Sequence, residues 1–158
     1  MELLSFFEWM ETSLLGQIGK SYGGVYAIGQ SIHLMSLALL GGTVLVVDLR
    51  LLNLILREVP SEVVADNAHR WFKTALVLII STGIFMASAV AIRMYHNPFF
   101  WAKMLSLLVG IVFVFAVKRP LLRARHSDIQ PVVLKSVAIA SLLLWFTVAA
   151  TGRWIGFS

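Results

Sequence analysis

The 158-residue sequence contains no cysteine. This absence excludes disulfide bonds, thiolate metal sites and iron–sulfur clusters, so any metal or cofactor must be held by histidine, methionine, lysine or carboxylate side chains. Charged residues are scarce as well, at 13% of the chain. No nucleophile stands beside a base, and neither a phosphate-binding loop nor a pair of catalytic carboxylates is present, so we predict no hydrolytic or nucleotide-binding site.

Basic residues outnumber acidic ones, thirteen to eight, which gives a formal net charge of +5. They stand at the ends of apolar runs and form no continuous polar face, so we predict no nucleic-acid partner. Apolar residues, in contrast, are abundant: 59% of the sequence is hydrophobic, and the mean hydropathy is +0.86. These values are typical of an integral membrane protein in contact with the lipid bilayer. The length allows a single membrane domain over 1–158.

Four apolar segments are long enough to cross a bilayer as helices. They cover about 25–47, 71–92, 99–117 and 132–152. The boundaries are marked by a polar connection that opens at Pro60-Ser61, a helix start at Asn97-Pro98 and a stop at Lys118-Arg119-Pro120. Because short connections favour antiparallel neighbours, the predicted fold is all-α, an integral membrane four-helix bundle.

The N-terminal residues 1–20 do not resemble a signal peptide, because their start is acidic and polar residues interrupt their apolar stretch. Polar residues such as Glu8 and Thr12 recur at helical spacing opposite apolar ones, and Trp9 suits headgroup depth. The pattern predicts an amphipathic helix that lies in the membrane interface. The alternative is a terminal helix packed on the bundle.

Lysine and arginine are unequally divided between the two sides of the predicted bundle. One side has Lys20, Arg93, Lys103 and Arg153, and the other has Arg50, Arg57, Arg70, Lys73, Lys118, Arg119, Arg123, Arg125 and Lys135. Because cytoplasmic connections are enriched in basic residues, we predict a multi-pass protein of a bacterial-type inner membrane with both termini outside.

His33 is the only histidine clearly inside a predicted span. At 3.6 residues per turn it shares a face with Leu37, Leu40, Gly41 and Val44, and the adjacent glycines Gly41-Gly42 would flatten that face for a planar ligand. An ionisable side chain in hydrocarbon is read by default as functional. The alternative is a neutral structural histidine, hydrogen-bonded to a serine or a carbonyl of a neighbouring helix.

The remaining histidines divide by depth, with His96 toward the outer side and His69 and His126 toward the inner side. His69 and His96 are 27 residues apart, about 40 Å along a straight helix, so they cannot share an ion. The natural pairs are His33 with His96 and His69 with His126. If one or two b-type haems are the cofactors, each must be held by a different pair.

Several cations could complete such sites. Lys103 lies one turn inside the third span, where it could meet a haem propionate, bind iron when neutral, or reach the interface by snorkelling. Guanidinium groups bind carboxylates, so Arg93 and Arg153 at the outer rim and Arg50 at the inner rim are candidate propionate partners; interface anchoring is the alternative. Soft ligands for copper are also present, at His33, His96, Met35, Met86, Met94 and Met104.

The sequence resembles the small membrane proteins related to the copper-resistance D domain and the four-helix membrane protoporphyrinogen oxidases. The resemblance rests on His33 with the trailing Asp48-Leu49-Arg50, on Thr82-Gly83, and on 97–103 (Asn-Pro-Phe-Phe-Trp-Ala-Lys). It implies a helical bundle that binds b-type haem, with His33 as the first-helix histidine and Lys103 as the third-span lysine.

Two function classes follow from these observations. The first is a haem b protein that carries out electron transfer or redox chemistry in the bilayer, with a quinone or a redox protein as partner. The second is a copper-binding or copper-transport protein without haem. The alternative to both is a scaffold subunit whose polar residues only join helices. Small residues of the second and fourth spans favour close helix contacts, and we predict a homo-oligomer. These residues are Gly83, Ala87, Ala140, Ser141 and Ala149.

Overall fold

A computed structural model describes residues 2–123 and 130–157, and every regular element in these two ranges is a helix. The eight α-helices are α1 (Glu2–Thr12), α2 (Leu14–Ser21), α3 (Gly23–Leu51), α4 (Ser61–Ala89), α5 (Ala91–Tyr95), α6 (Pro98–Val112), α7 (Arg119–Arg123) and α8 (Pro131–Trp154). A π-helical segment, Phe113–Lys118, joins α6 to α7, and a 3₁₀ turn, Ile155–Phe157, follows α8. The all-α prediction is confirmed.

Four helical stretches are long and apolar enough to cross a membrane: Gly23–Leu51, Ser61–Ala89, Pro98–Arg123 and Pro131–Phe157. Their most apolar windows have mean hydropathies between 1.7 and 2.3. Each overlaps one predicted span, so the protein is a multi-pass membrane protein built as a four-helix bundle. At 1.5 Å per residue, α3 and α4 are each about 43 Å long, which exceeds the ~30 Å hydrocarbon core of a bilayer.

The bundle is held together by side-chain packing between α3 and α4, between α6 and α8, and between α3 and α8. Its central cluster contains Leu40, Val44, Phe72, Ala75, Leu76, Ile79, Val114, Trp145 and Val148. Trp145 lies against Gly110, where an added Cβ would come within 3.4 Å of the indole ring. The Trp145 ring also meets Phe72 edge to face at 5.6 Å between centroids, which joins the α6–α8 pair to α4.

Helix α3 ends in a Schellman motif. The amide of Leu54 donates to the Leu49 carbonyl, the amide of Asn53 donates to the Arg50 carbonyl, and Asn53 adopts the left-handed conformation with φ 59°. The Arg50 guanidinium then binds the Val59 carbonyl at 2.7 Å and the Asn53 side chain at 2.7 Å. Arg50 therefore stabilises the α3–α4 connection, because its guanidinium N–H groups donate hydrogen bonds to residues of that connection.

The polar stretch after Pro60 was predicted as a connection, and this was wrong for 61–70, which form the first turns of α4. Residues at helical spacing explain the difference, because Ser61, Val64 and Phe72 are buried on one side of the helix. Val64 packs with Leu122 in a cluster at this end of the bundle. Tertiary packing thus supports a helix whose other face is charged.

The third span was predicted to stop before Pro120, but its helix continues to Arg123. Proline has no amide hydrogen and its ring clashes with the carbonyl four residues earlier in an α-helix. The π-helical segment Phe113–Lys118 precedes Pro120 and displaces the carbonyl ladder by one residue. The helix therefore passes through the proline and does not end at it.

The predicted N-terminal helix is two helices, because the chain breaks at Ser13. The Ser13 hydroxyl caps α2 by accepting from the Gly16 amide, and it also donates to the Met10 carbonyl at 2.6 Å. Helix α1 packs against α5 and helix α2 packs against α4, with Phe7 buried beside Ala91 and Met94. This N-terminal hairpin therefore packs on the bundle, as the alternative predicted, and its location in the membrane interface stays a prediction.

Candidate functional site

His33 lies in α3 and faces α4. Its Nδ1 atom is 2.8 Å from the hydroxyl oxygen of Thr82, and the ring is half-buried. A histidine bonded to a neighbouring helix was the structural alternative of the sequence analysis, and that bond is present. The contact orients the imidazole but engages only one of its two nitrogens.

The hydrogen bonds of Thr82 assign the tautomer of His33. The Thr82 hydroxyl has one hydrogen and lies 2.6 Å from the Leu78 carbonyl, which can only accept. The Thr82 oxygen must then accept from Nδ1–H of His33. Nδ1 therefore carries the proton, and Nε2, which forms no hydrogen bond with the described residues, keeps its lone pair.

Gly83 allows the His33 ring to lie against the backbone of α4. A Cβ at position 83 would come within 3.4 Å of the ring carbon Cε1. The predicted flat strip at Gly41 and Gly42 is different, because a Cβ at either position would meet nothing within 4 Å. Close approach to His33 thus comes from the glycine of α4, while the glycine pair of α3 borders open space.

Lys103 is the second ionisable group at this end of the bundle. Its Cε and Nζ atoms lie against Gly152 of α8, where an added Cβ would come within 3.4 Å of both. The start of α6 fixes this position, because the Asn97 side chain accepts from the Phe99 amide at 2.9 Å and Pro98 occupies the first turn. Lys103 forms no salt bridge within the described residues, and its charge interacts with His33.

The other residues that were predicted to lie with His33 at the outer side of the membrane are His96, Arg93 and Arg153, and they contact other parts of the protein. His96 follows α5, is exposed, and its Nδ1 lies 2.9 Å from the Ile92 carbonyl. Its ring packs edge to face on Tyr95, so the hydrogen bonds and ring contacts of His96 and His33 go to different residues. The Arg153 guanidinium stacks over the Phe157 ring at 4.5 Å, and Arg93 is exposed on α5.

The N-terminal hairpin is attached to this end by Glu11. One carboxylate oxygen accepts from the Ile92 amide at the start of α5, at 2.7 Å, and the other binds Lys20 at 2.5 Å. The hydrogen bond from Ile92 and the contact with Lys20 lower the pKa of Glu11 below its usual value. Glu11 therefore stays ionised and holds the hairpin to the α4–α5 junction.

The opposite end contains a buried ion pair that the sequence analysis did not predict. The sequence analysis noted Asp48 only in the trailing Asp48-Leu49-Arg50 of the first span. In the structure Asp48 is fully buried, and its Oδ1 lies 2.5 Å from Nζ of Lys118. The Lys118 amine also donates to the Ser141 hydroxyl at 3.1 Å. The two charges come from distant parts of the sequence and meet only in the fold, where they neutralise each other away from water.

His69 lies at the same end, on the wall of a cavity of about 280 Å³ between α3, α4 and the segment that joins α6 to α7. Its Nε2 atom is buried without a hydrogen-bond partner, and the ring meets Phe115 edge to face at 5.7 Å. His126, the predicted partner of His69, lies outside the described residues. This cavity was not predicted, since its walls come from segments that are distant in the sequence.

Within 2–123 and 130–157, no group of three or more histidine and carboxylate side chains is arranged to hold a metal ion. The predicted copper ligands also diverge, because Met35 is 73% exposed while Met94 is buried beside Phe7.

Residues 6–158 match the family described as "Family of unknown function (DUF6644)", and the match covers nearly the entire chain. No curated protein and no solved structure matches the sequence. The chemistry of the site therefore has to be argued from its own residues.

Proposed function

We propose that this chain, which belongs to the DUF6644 family, binds b-type haem in the membrane with His33 as an axial ligand and serves in electron transfer. The observation that carries the proposal is the tautomer of His33, with Nδ1–H held by Thr82 and Nε2 left with a free lone pair. Histidines that bind metals usually donate their other ring N–H in this way, which fixes the ring and raises its basicity.

The donor set fits a haem better than a bare ion. A porphyrin supplies four nitrogens to its iron, so the protein has to add only one or two axial ligands. Haem also carries carboxylates, which are costly near hydrocarbon unless a cation neutralises them. Lys103 is a cation without an anionic partner in the described residues, and it lies close enough to His33 for its charge to act on the imidazole. When bound, the haem supplies one-electron redox chemistry.

The roles of the protein residues follow from these contacts. His33 binds iron through Nε2, Thr82 holds the ring, Gly83 leaves room beside it, and Lys103 pairs with a propionate. His96 stays the predicted second ligand, and its exposed position requires the segment after α5 to fold inward. Copper transport is the less supported alternative because the methionines diverge.

The membrane arrangement is also part of the proposal. The excess of lysine and arginine at the end that contains Arg50 and Lys118 supports a bacterial-type inner-membrane orientation with this end inside and both termini outside. Ala140 and Ala149 are exposed on α8, which supports their predicted use as contacts between copies in a homo-oligomer. A quinone or a redox protein would then exchange electrons with the haem.

The decisive measurement is the visible spectrum of the purified full-length protein. We expect a Soret band that shifts when dithionite reduces the sample, and we expect His33→Ala to remove or convert that band. Gln30→Ala, an exposed position on the same helix, is the matched control and should leave the spectrum unchanged. Full haem content with an unaltered reduced spectrum in His33→Ala would refute the assignment.

Orientation is tested separately by labelling single cysteines from each side of the membrane, which the cysteine-free sequence makes simple. Glu58→Cys in the α3–α4 connection should react from the inside, and Tyr22→Cys between α2 and α3 should react from the outside. Both positions are exposed, so folding does not depend on them. The reverse pattern would overturn the orientation.

A further inference from the structure

The cavity beside His69 is separate from the His33 site and has a distinctly amphipathic wall. Its volume is about 280 Å³, and its floor is apolar, formed by Val44, Val47, Phe72 and Val114. Its charged residues and His69 come from α4 and from the segment Lys118–Arg123. A cavity with an apolar floor and a few polar groups is the common form of a small-molecule binding site.

Two kinds of unused polar group belong to residues that line this cavity. Nε2 of His69 is buried and has no hydrogen-bond partner in the described residues, which is costly unless something else satisfies it. Arg119 and Arg123 line the same cavity, and neither guanidinium forms a salt bridge or a side-chain hydrogen bond within 2–123 and 130–157. Lys118 is different, because Asp48 already neutralises it.

The charges around His69 favour an anion. Three cations, Arg119, Lys73 and Arg123, act on the ring, against one carboxylate, Asp66. Glu62 and Asp66 of α4 also line the cavity. Arg119 and Arg123 make their side of the cavity positive, and Val44, Val47, Phe72 and Val114 supply an apolar surface next to it.

We propose that this cavity binds a singly charged oxyanion, a carboxylate or a phosphate, that carries an apolar group. The oxyanion lies between Arg119 and Arg123 and accepts a hydrogen bond from Nε2–H of His69. The apolar group packs on Phe72, Val44 and Val114. Guanidinium groups suit this ligand because they bind carboxylate and phosphate oxygens through two parallel hydrogen bonds.

The volume limits the size of the ligand. Since a water molecule occupies about 30 Å³ in the liquid, 280 Å³ corresponds to about nine waters. This is room for a short-chain carboxylate, or for the phosphate and first carbons of a lipid whose acyl chains remain in the bilayer. The two sources share one chemistry and are separated by experiment.

The first experiment titrates the full-length protein, in nanodiscs of phosphatidylcholine, with octanoate and with the uncharged octanol. We expect saturable binding of one octanoate per chain and at least tenfold weaker binding of octanol. Arg119→Gln/Arg123→Gln should weaken octanoate binding by about tenfold or more, since two charge-assisted contacts are removed. Arg70→Gln/Lys135→Gln removes two exposed charges outside the cavity and should have no effect.

The second experiment distinguishes the sources by native mass spectrometry from mixed phosphatidylcholine and phosphatidylglycerol. Phosphatidylglycerol retained by the wild type and lost from the Arg119→Gln/Arg123→Gln variant identifies a lipid phosphate, whereas octanoate binding without lipid retention identifies a free amphiphile. If the double variant unfolds, the exposed single variant Arg123→Gln and the ring-preserving His69→Phe give the same comparison. Equal binding of both probes by these variants and by the control variant, or no binding by the wild type, would overturn the proposal.

Discussion

Lys103 and Lys118 stand fifteen residues apart in the third span, and the fold treats them in opposite ways. Lys118 is buried, with Asp48 at 2.5 Å and the Ser141 hydroxyl at 3.1 Å. Lys103 lies against Gly152 and has no anionic partner in the described residues. The paired lysine joins three helices, whereas the unpaired lysine adds no cross-link and is available to a bound anion.

This comparison separates structural charges from ligand-binding charges in the same helix. A buried pair is expensive to break, because the remaining charge stays in a low-dielectric environment. A lone cation in a bundle is destabilising until a ligand arrives, so its removal costs the empty protein little. The two lysines therefore predict opposite results in stability and binding measurements.

The largest expected effect is on stability, in Asp48→Ala. Loss of the carboxylate leaves Lys118 uncompensated, which should lower the free energy of unfolding by about 3–5 kcal/mol. The double variant Asp48→Leu/Lys118→Met, which replaces both charges by apolar groups, should recover most of the loss. Thermal unfolding in mild detergent measures all three proteins.

Lys103→Met is the matched control for that experiment. We expect its unfolding temperature, measured without haem, to equal or exceed that of the wild type. A loss of stability as large as that of Asp48→Ala would show that the two lysines have the same structural role, and the comparison would fail.

A smaller effect is expected for the orientation of His33. Thr82→Val removes the acceptor of Nδ1–H while preserving side-chain shape, and loss of such a partner typically lowers metal affinity by about 10–100-fold. Haem titration of the apoprotein gives the measurement. Thr74→Val is the control, since Thr74 makes the same type of bond to the carbonyl four residues earlier but lies away from His33. Equal affinities for the two variants would contradict the role of Thr82.

The unpaired lysine should contribute about tenfold to haem affinity through a propionate. Lys103→Met should lose this contribution, while Lys135→Met, at an exposed position, should not. With the dimethyl ester of haem, which has no propionate charge, the wild type and Lys103→Met should bind equally. A difference that persists with the ester would assign Lys103 to another role, such as iron ligation.

The smallest effect concerns the attachment of the N-terminal hairpin. Because folding lowers the pKa of Glu11, its contribution to stability is present above the usual value of 4.5 and is lost as pH falls through the lower, folded-state value. The protection factor of the Ile92 amide, which compares its exchange rate with the intrinsic rate at the same pH, should therefore fall below pH 4.5. In Glu11→Gln this fall should be absent. The same pH dependence in both proteins would exclude Glu11 as the titrating group.

Features that depend on residue spacing within one helix could be predicted from the sequence. Apolar runs predicted four spanning helices, and Asn97-Pro98 predicted the start of α6 within one residue. His33 was predicted as a functional residue because an ionisable side chain is costly within an apolar segment. Each of these predictions uses only residues within one helix, where spacing and geometry are linked directly.

Contacts between helices could not be predicted from the sequence. Asp48 and Lys118 are seventy residues apart, and nothing in either segment indicates that they meet. Thr82 was noted only through Thr82-Gly83, and its hydrogen bond to His33 depends on the rotation of α3 against α4. The helical extent of 61–70 was also missed, since only the packing of Val64 and Phe72 reveals its buried side.

The π-helical segment Phe113–Lys118 gives the third span an uncommon tolerance to changes in length. A π turn holds one residue more than an α turn, so deletion of one residue there would leave a continuous α-helix. Because the π turn absorbs that extra residue, the portion after the deletion would keep its orientation relative to α6, whereas a deletion from a regular α-helix would turn it by about 100°. Lys118 would stay beside Asp48 and Lys103 would keep its place, so a single codon lost from this segment would spare both the helix and the ion pair.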